Sequence, residues 1–365
     1  MTKRVNLLPG SPAELGILSR RQLLLATGGG AISLAMPHVV GSAYAEATAA
    51  PTVDAAKAEG PVVVWHGDQE GDVVEFLKNF TQKTGVPAVQ QRLLPGAALP
   101  KLEIEYRTGQ TSGDVYLTSD SGIMEQLRLQ NRLLRYAAKE IDAYGPSYRS
   151  AEPGYWTTYY VNVGPMMYDP RYVKEAEAPK TWMDLLDPKW VSQIGFQNSS
   201  AGTSYGFWFV MKEVLPKNFW DELAKQKPRA YSSSTQISQD IERGDLKIGG
   251  RVSIFQYVKS VRNKQPVKAV FPEFGVPAVN QVSGIIGTTK RPNGAKIFTD
   301  YLLSKEGQFS WNNIQGSYSA RTDIQIEYLP DIKTLKLLLP TDFEDYMKPE
   351  RRREFVAIWN KMTGL

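Results

Sequence analysis

Pro61-Val62-Val63-Val64-Trp65-His66-Gly67-Asp68-Gln69 is the stretch on which the fold turns. Four consecutive apolar residues, three of them β-branched, suit a short buried strand. The residues that follow change period: Val73, Val74, Leu77 and Phe80 fall on one face of a helix that Gly85 ends. The same order recurs with a strand near 86–89, a helix over about 99–108, a strand at Asp114-Val115-Tyr116-Leu117 and a helix from Ser121. Strand and helix in alternation predict an α/β class, with a parallel sheet covered by helices.

Further along, Tyr159-Tyr160-Val161-Asn162-Val163 to Met167-Tyr168 is expected as one long strand and residues 181–186 as a short helix. Residues 193–197 are expected as a strand and 204–214 as a helix with Phe207, Trp208, Met211 and Val214 turned inward. Units at 232–243 and 251–257, a strand over 282–287 and a helix over 295–303 complete a second set. The tail from 329 to 365 reads as helical and charged, suited to wrapping the outside. Two lobes follow, each a mixed, mainly parallel sheet flanked by helices, because some 320 residues exceed what one hydrophobic core serves. Lobe 1 is expected to take 60–160 and 281–330 and lobe 2 161–280, leaving 331–365 as the wrap. Crossings between the lobes are expected near 158–166 and 272–284.

Lys3 and Arg4, then Ser19-Arg20-Arg21-Gln22-Leu23-Leu24-Leu25, an apolar run through Gly28-Gly29-Gly30 and finally Ala43-Tyr44-Ala45 have the parts of an export signal. The paired arginines favour the twin-arginine route. The uncharged run is shorter than the ~20 residues of a membrane-spanning helix. Residues 1–45 are therefore expected to be removed, with 46–59 a mobile leader and the mature chain in the periplasm without stable membrane insertion. The segment carries four basic residues against Glu14, so the net charge of +5 falls to +2 in the mature chain. Nucleic-acid binding loses its main support. The absence of cysteine excludes disulfides, thiolate metal sites, a cysteine nucleophile and a lipid-modified N-terminus.

In open parallel sheets, ligands bind outside the carboxyl ends of the strands. Four loops meet that description: 65–69, 118–122, 198–203 and 253–257. Asn198-Ser199-Ser200-Ala201-Gly202-Thr203 combines helix-capping side chains with a glycine that lets backbone approach a ligand, so Ser199, Ser200, Gly202 and Thr203 are candidates for holding an anion. Simple capping is the alternative. Ser119, Asp120 and Ser121 stand in the same position in the other lobe, where Asp120 is an acceptor for a cationic or hydroxylated ligand. His66 is the one histidine left after residue 45, and is either structural or a contact. Trp65 and Tyr257, placed at strand ends, close over a ligand or pack against the other lobe. Tyr159 and Tyr160, adjacent on a strand, are expected to face opposite sides. No Gly-x-Ser-x-Gly, Gly-x-x-x-x-Gly-Lys or His-Glu-x-x-His pattern occurs, so catalysis is not expected, although a carboxylate-only enzyme is a rival reading.

Val63-Val64-Trp65-His66-Gly67, Gly113-Asp114-Val115-Tyr116-Leu117-Thr118, Thr181-Trp182-Met183-Asp184-Leu185-Leu186-Asp187-Pro188-Lys189-Trp190, Ser200-Ala201-Gly202-Thr203 and Asn293-Gly294-Ala295-Lys296 to Leu303-Ser304-Lys305-Glu306-Gly307 together resemble the family 1 extracellular solute-binding proteins. The similar branch is the one labelled ferric-iron binding and shared with thiamine-, phosphonate- and sugar-phosphate-binding relatives. The resemblance covers about residues 60–320. It implies a two-lobe type II periplasmic binding protein with a small-molecule ligand and an ABC permease with its ATPase as partners; a monomer without cofactor or resident metal is expected. The family's ferric binders use a neighbouring tyrosine pair in the second lobe with a histidine and a carboxylate from the first. Here the matching stretch Ile254-Phe255-Gln256-Tyr257-Val258 supplies one tyrosine, and the other positions fall near Gln69 and Ser119, one residue from Asp68 and Asp120. The ferric set is thus expected to be dismantled, leaving Ser, Thr, Gln256 and backbone N–H donors with Arg251 as counter-charge. A phosphorylated, phosphonate or carboxylate anion is the favoured ligand; ferric iron and thiamine- or polyamine-like cations are alternatives, as is presentation of the ligand to a chemoreceptor.

Overall fold

The computed structural model describes residues 50–365, Ala201 apart. The expected export segment lies outside the described residues. The first element is a helix, α1 (Val53–Glu59), and not a mobile leader. Ala56 is fully buried, and Glu59 accepts from the backbone N–H of Asn293 (3.0 Å) and Gly294 (3.1 Å). Those donors open a later helix and have no partner within it, which is why the segment docks.

The chain continues through β1 (Val62–His66), α2 (Glu70–Thr84), β2 (Ala88–Arg92), α3 (Pro95–Thr108), β3 (Val115–Thr118), α4 (Ser121–Leu129), β4 (Leu133–Leu134) and β5 (Thr157–Val163). It then runs through β6 (Met166–Tyr168), β7 (Ile194–Gln197), α5 (Gly202–Met211), α6 (Phe219–Lys225), β8 (Arg229–Tyr231), α7 (Ser234–Arg243), β9 (Ile248–Gly249), α8 (Ile254–Arg262) and β10 (Lys268–Val270). Last come β11 (Val276–Ile286), α9 (Pro292–Leu303), α10 (Lys305–Gln315), β12 (Leu337–Leu338), α11 (Phe343–Met347) and α12 (Pro349–Thr363).

Two helix-flanked sheets result. One has the order β12-β11-β3-β1-β2, with β4 and β5 also on β11; the other has the order β10-β6-β9-β7-β8. Both are mixed. The βα part pairs in parallel, β1 with β2 and β3, and β7 with β8 and β9, while β11 and β6 run antiparallel to β5 and to β9 and β10 respectively. The parallel character read from the sequence is thus confined to the βα units.

The long strand expected at 159–168 breaks at Gly164-Pro165 into β5 and β6, which lie in different sheets. The return runs from β10 to β11. Residues 161–163 and 276–280 therefore belong to the first sheet, and the expected limits of lobe 2 are too wide at both ends. Other expectations shift locally. Val74 is exposed and Phe76 takes its place in the core. The helix expected at 204–214 starts at Gly202 and ends at Met211, leaving Val214 half exposed in the following turn. Residues 182–186 form a 3-10 helix.

The tail is the largest correction. It is not a single helical wrap, because β12 joins β11 at its first residues. Nor is it peripheral: Tyr346, Phe355, Trp359 and Met362 are buried in the second lobe's aromatic core with Trp182, Phe196, Tyr205, Phe207 and Trp208. Charged residues in that tail mask an apolar stripe at helical spacing. Trp359→Ala removes one of the largest fully buried side chains and should cost about 3–5 kcal/mol of unfolding free energy. Urea denaturation measures this; a loss within error of zero would return the tail to the surface.

Candidate ligand-binding site

The loops at the carboxyl ends of β1, β3, β7 and β8 open into a cleft of about 1030 Å³. Its walls come from Gly67–Gly71, Thr118–Asp120, Ser200, Gly202 and Thr203, the Ser232–Thr235 turn and the start of α8, and its floor from β5 and β11. Each helix begins at the cleft because its N-cap has to turn the chain out of a strand. Asp120 caps α4 by accepting from the N–H of Ile123 (3.3 Å), and Ser233 caps α7 by accepting from that of Gln236 (3.3 Å). Gly202 lets the two walls approach closely: a Cβ there would come within 2.9 Å of Ser119 Oγ in the opposite wall.

Asp68, Ser119, Asp120, Ser200, Gly202, Thr203 and Gln256 line this cleft, as read from the sequence. Six candidates do not, Arg251, described below, among them. Trp65 is fully buried in the first lobe's core, edge-on to Tyr116 at 6.5 Å, because the strand's alternation points it away from the loop. His66 is also fully buried, with Nε2 2.7 Å from Gln90 Oε1 on the adjacent strand. Ser121 is buried in the first turn of α4. Ser199 donates to Asn360 Oδ1 of α12 at 2.8 Å and so ties the tail to the loop. Tyr257 lies on a helix rather than at a strand end, and helical spacing turns it into the core while Ser253, Phe255 and Gln256 meet the cleft.

Besides the Ser232–Thr235 turn and Arg352 of α12, which also line the cleft, two features escaped the sequence reading. The first is an oxygen cluster in which Tyr159 donates to Asp68 Oδ2 at 2.6 Å and Tyr160 to Asp68 Oδ1 at 2.8 Å. Adjacent strand residues reach one carboxylate because the β5–β11 register shifts there. Gln281 pairs with Tyr160 and Val282 with Thr158, so Tyr159 is the extra residue of a β-bulge. Burial pushes the Asp68 carboxyl above its ordinary value of 3.8, and the two tyrosine hydroxyls pull it partly back. The second is a cluster of buried amides on the floor. Asn162 Oδ1, Gln281 Nε2 and Gln315 Oε1 line the cleft without a hydrogen-bond partner. They offer both donor and acceptor groups to an occupant.

Arg251 lies behind the second lobe's wall, only 3% exposed. Its Nη1 donates to Ser253 Oγ (3.1 Å) and Gln197 Oε1 (3.4 Å), both cleft residues, while Nε and Nη2 are unpartnered. No carboxylate pairs with it among the described residues, and burial draws its guanidinium down to about 10. The chain has therefore placed an uncompensated cation against a serine-rich wall: Ser232, Ser233, Ser234 and Ser253.

A family model of the bacterial extracellular solute-binding proteins matches residues 113–346. The chain belongs to that family. This solute-binding protein is 28% identical to an uncharacterized protein of Haemophilus influenzae over 322 residues, 83% of this chain and 91% of the other. It is 21% identical to the Fe(3+)-binding periplasmic protein of Serratia marcescens over 266 residues, 70% and 77% of the two chains. Its fold matches that of iron-bound HitA from Pseudomonas aeruginosa with a TM-score of 0.72 at 18% identity, covering 84% of this chain and all of that one. It matches the periplasmic binding protein AfuA from Actinobacillus pleuropneumoniae, with exogenous fructose-6-phosphate bound, with a TM-score of 0.70 at 23% identity, covering 84% and 99%. The fold is that of the two-lobe type II periplasmic binding proteins.

The Asp68 cluster makes a pH prediction for the solute-binding protein. The folded-state pKa lies above the unfolded one, so Asp68 withdraws stability as the pH rises from about 4 through the raised value. Asp68→Asn abolishes that titration. Denaturation midpoints from pH 4 to 7 should fall for the wild type relative to the variant; parallel profiles would contradict the assignment.

Proposed function

We propose that the chain is the periplasmic substrate-binding component of an ABC importer and that its cargo is a small organic anion, phosphorylated, phosphonate or carboxylate. The observation that carries the anion reading is Arg251, a buried guanidinium with two unpartnered nitrogens and, among the described residues, no paired carboxylate. Burying a lone cation costs several kcal/mol, and a negative group in the adjacent wall offsets that cost only when it is bound. The Ser200–Thr203 turn supports the reading, since the first N–H groups of α5 lack intrahelical acceptors and its dipole favours negative charge. The relative with bound fructose-6-phosphate shares the fold. Transport fits binding by lobe closure with no chemical step.

A second reading has its own observation. Asp68, Tyr159 and Tyr160 bring a carboxylate and two phenols to one wall of the cleft, and hard ferric iron takes such oxygens. This is not the pair expected at 254–258; the tyrosines come from the hinge strand. The buried Arg251 cation interacts electrostatically with Tyr160; it disfavours a second cation there and favours a negative group, so the anion reading is preferred.

Thermal melting of the mature chain, stripped of ligand by unfolding and refolding, discriminates these readings against fructose 6-phosphate, phosphonates, dicarboxylates, thiamine, polyamines and ferric citrate. At a hundredfold excess over Kd an anion should add about 2.7 kcal/mol of stability. The gain should vanish when Ser200 and Thr203 are both changed to alanine. A shift confined to ferric citrate, with a visible charge-transfer colour that Tyr160→Phe removes, would replace the anion by iron.

A further inference from the structure

We infer that Arg352, carried on the C-terminal helix, belongs to the ligand site itself and grips the anionic group of the cargo beside the first turn of α5. The inference rests on the anion reading above and adds the residue that selects for charge. Arg352 lines the cleft with Met347 and Pro349 of the same arm, so the tail forms part of the binding wall. Its guanidinium stacks 3.5 Å from the ring centre of Tyr205, the fourth residue of α5. That contact holds the cation against a first-turn side chain of α5, the helix whose opening backbone N–H groups lack intrahelical acceptors.

A carboxylate already occupies one side of this position. Arg352 Nη2 donates to Asp120 Oδ2 from the opposite lobe, and Asp120 is held in turn by capping α4 through Oδ1. Its neighbour Ser119 meets Gly202 across the cleft. The loop of one lobe, the helix start of the other and the tail's guanidinium therefore converge on one place, and the place already accepts a negative group. A guanidinium carries five donors in a fork that matches phosphate and carboxylate oxygens, so the Asp120 contact leaves donors for a ligand. Asp120 competes with the ligand for that charge. Arg353, the next residue, differs: it pairs with Glu350 at 2.8 Å and its side chain is 70% exposed, on the rim.

Isothermal titration calorimetry on the ligand-stripped mature chain tests this with fructose 6-phosphate, inorganic phosphate and neutral fructose as probes. Arg352→Gln should weaken fructose 6-phosphate by about tenfold to a hundredfold, the range for one hydrogen bond to a charged group. Arg352→Lys should recover part of the loss, and any neutral-fructose affinity should not move. Asp120→Asn keeps a helix cap and removes the competing charge, so it should tighten the phosphorylated probe. That arm stands even if Arg352→Gln fails to melt cooperatively. Wild-type affinity in a folded Arg352→Gln protein, or weaker binding in Asp120→Asn, overturns the role of Arg352. If Ser200→Ala with Thr203→Ala still abolishes binding in that case, the anion reading survives. A wild-type chain that gives no heat with fructose 6-phosphate, inorganic phosphate, a phosphonate or a dicarboxylate overturns both.

Discussion

The structure depends on the crossing at Gly164-Pro165, where one extended segment has to serve two sheets. β5 spends its hydrogen bonds on β11 in the first sheet and β6 spends its own on β9 and β10 in the second. Proline lacks an N–H to offer either ladder, which makes it suited to the break. Glycine before it leaves room: a Cβ at residue 164 would stand 2.5 Å from Arg251 Nε. The hinge and the buried cation are one construction, since the guanidinium reaches its position only because the crossing lacks a side chain.

From that construction follows a cleft with unlike walls. The second lobe supplies an unpaired positive charge behind serine hydroxyls and a helix start. The first lobe supplies the Asp68 carboxylate with its two phenols, and the floor supplies amides with unused donors and acceptors. A ligand with a negative group at one end and hydroxyls along its length satisfies all three, whereas a bare ion satisfies one. The two walls already touch through Arg352 and Asp120, so under the proposed function a ligand binding between them would make further contacts with both lobes at once. The tail takes part in this arrangement. Tyr346 is buried at 4.7 Å from Tyr205 in the second lobe and lies so close to Gly122 of the first that a Cβ there would meet its ring at 2.8 Å.

The strands, most helices and four of the segments that meet at the cleft were legible in the sequence because their signals are local: period, cap and turn; the Ser232–Thr235 turn was read only as the start of a helix. The family resemblance on residues such as 113–118 and 181–190 carried the two-lobe architecture. Asp68, Ser119, Ser200 and Thr203 could be placed because they end strands or start helices. Tyr159 and Tyr160 could not, because a bulge depends on the register with β11, more than 100 residues away in the chain, and the alternation rule assumes no bulge. Trp65 and His66 were misplaced for the converse reason: they are strand residues proper, and the loop begins after them. Arg352 was missed because a charged helix at the end of a chain reads as surface. Only the buried Tyr346, Phe355 and Trp359, spaced along the same tail, signal that it enters the core.

The central claim is that Arg251 is kept buried for the cargo and not for the fold, and Arg251→Met tests it most directly. Removing an unpaired buried charge with a side chain of similar length should leave the ligand-free protein as stable as the wild type or more so. Binding of a phosphorylated probe should be lost, both quantities being read by calorimetry on the same preparation. A variant that is destabilised yet binds with undiminished affinity would contradict the account, because the cation would then belong to the hinge alone.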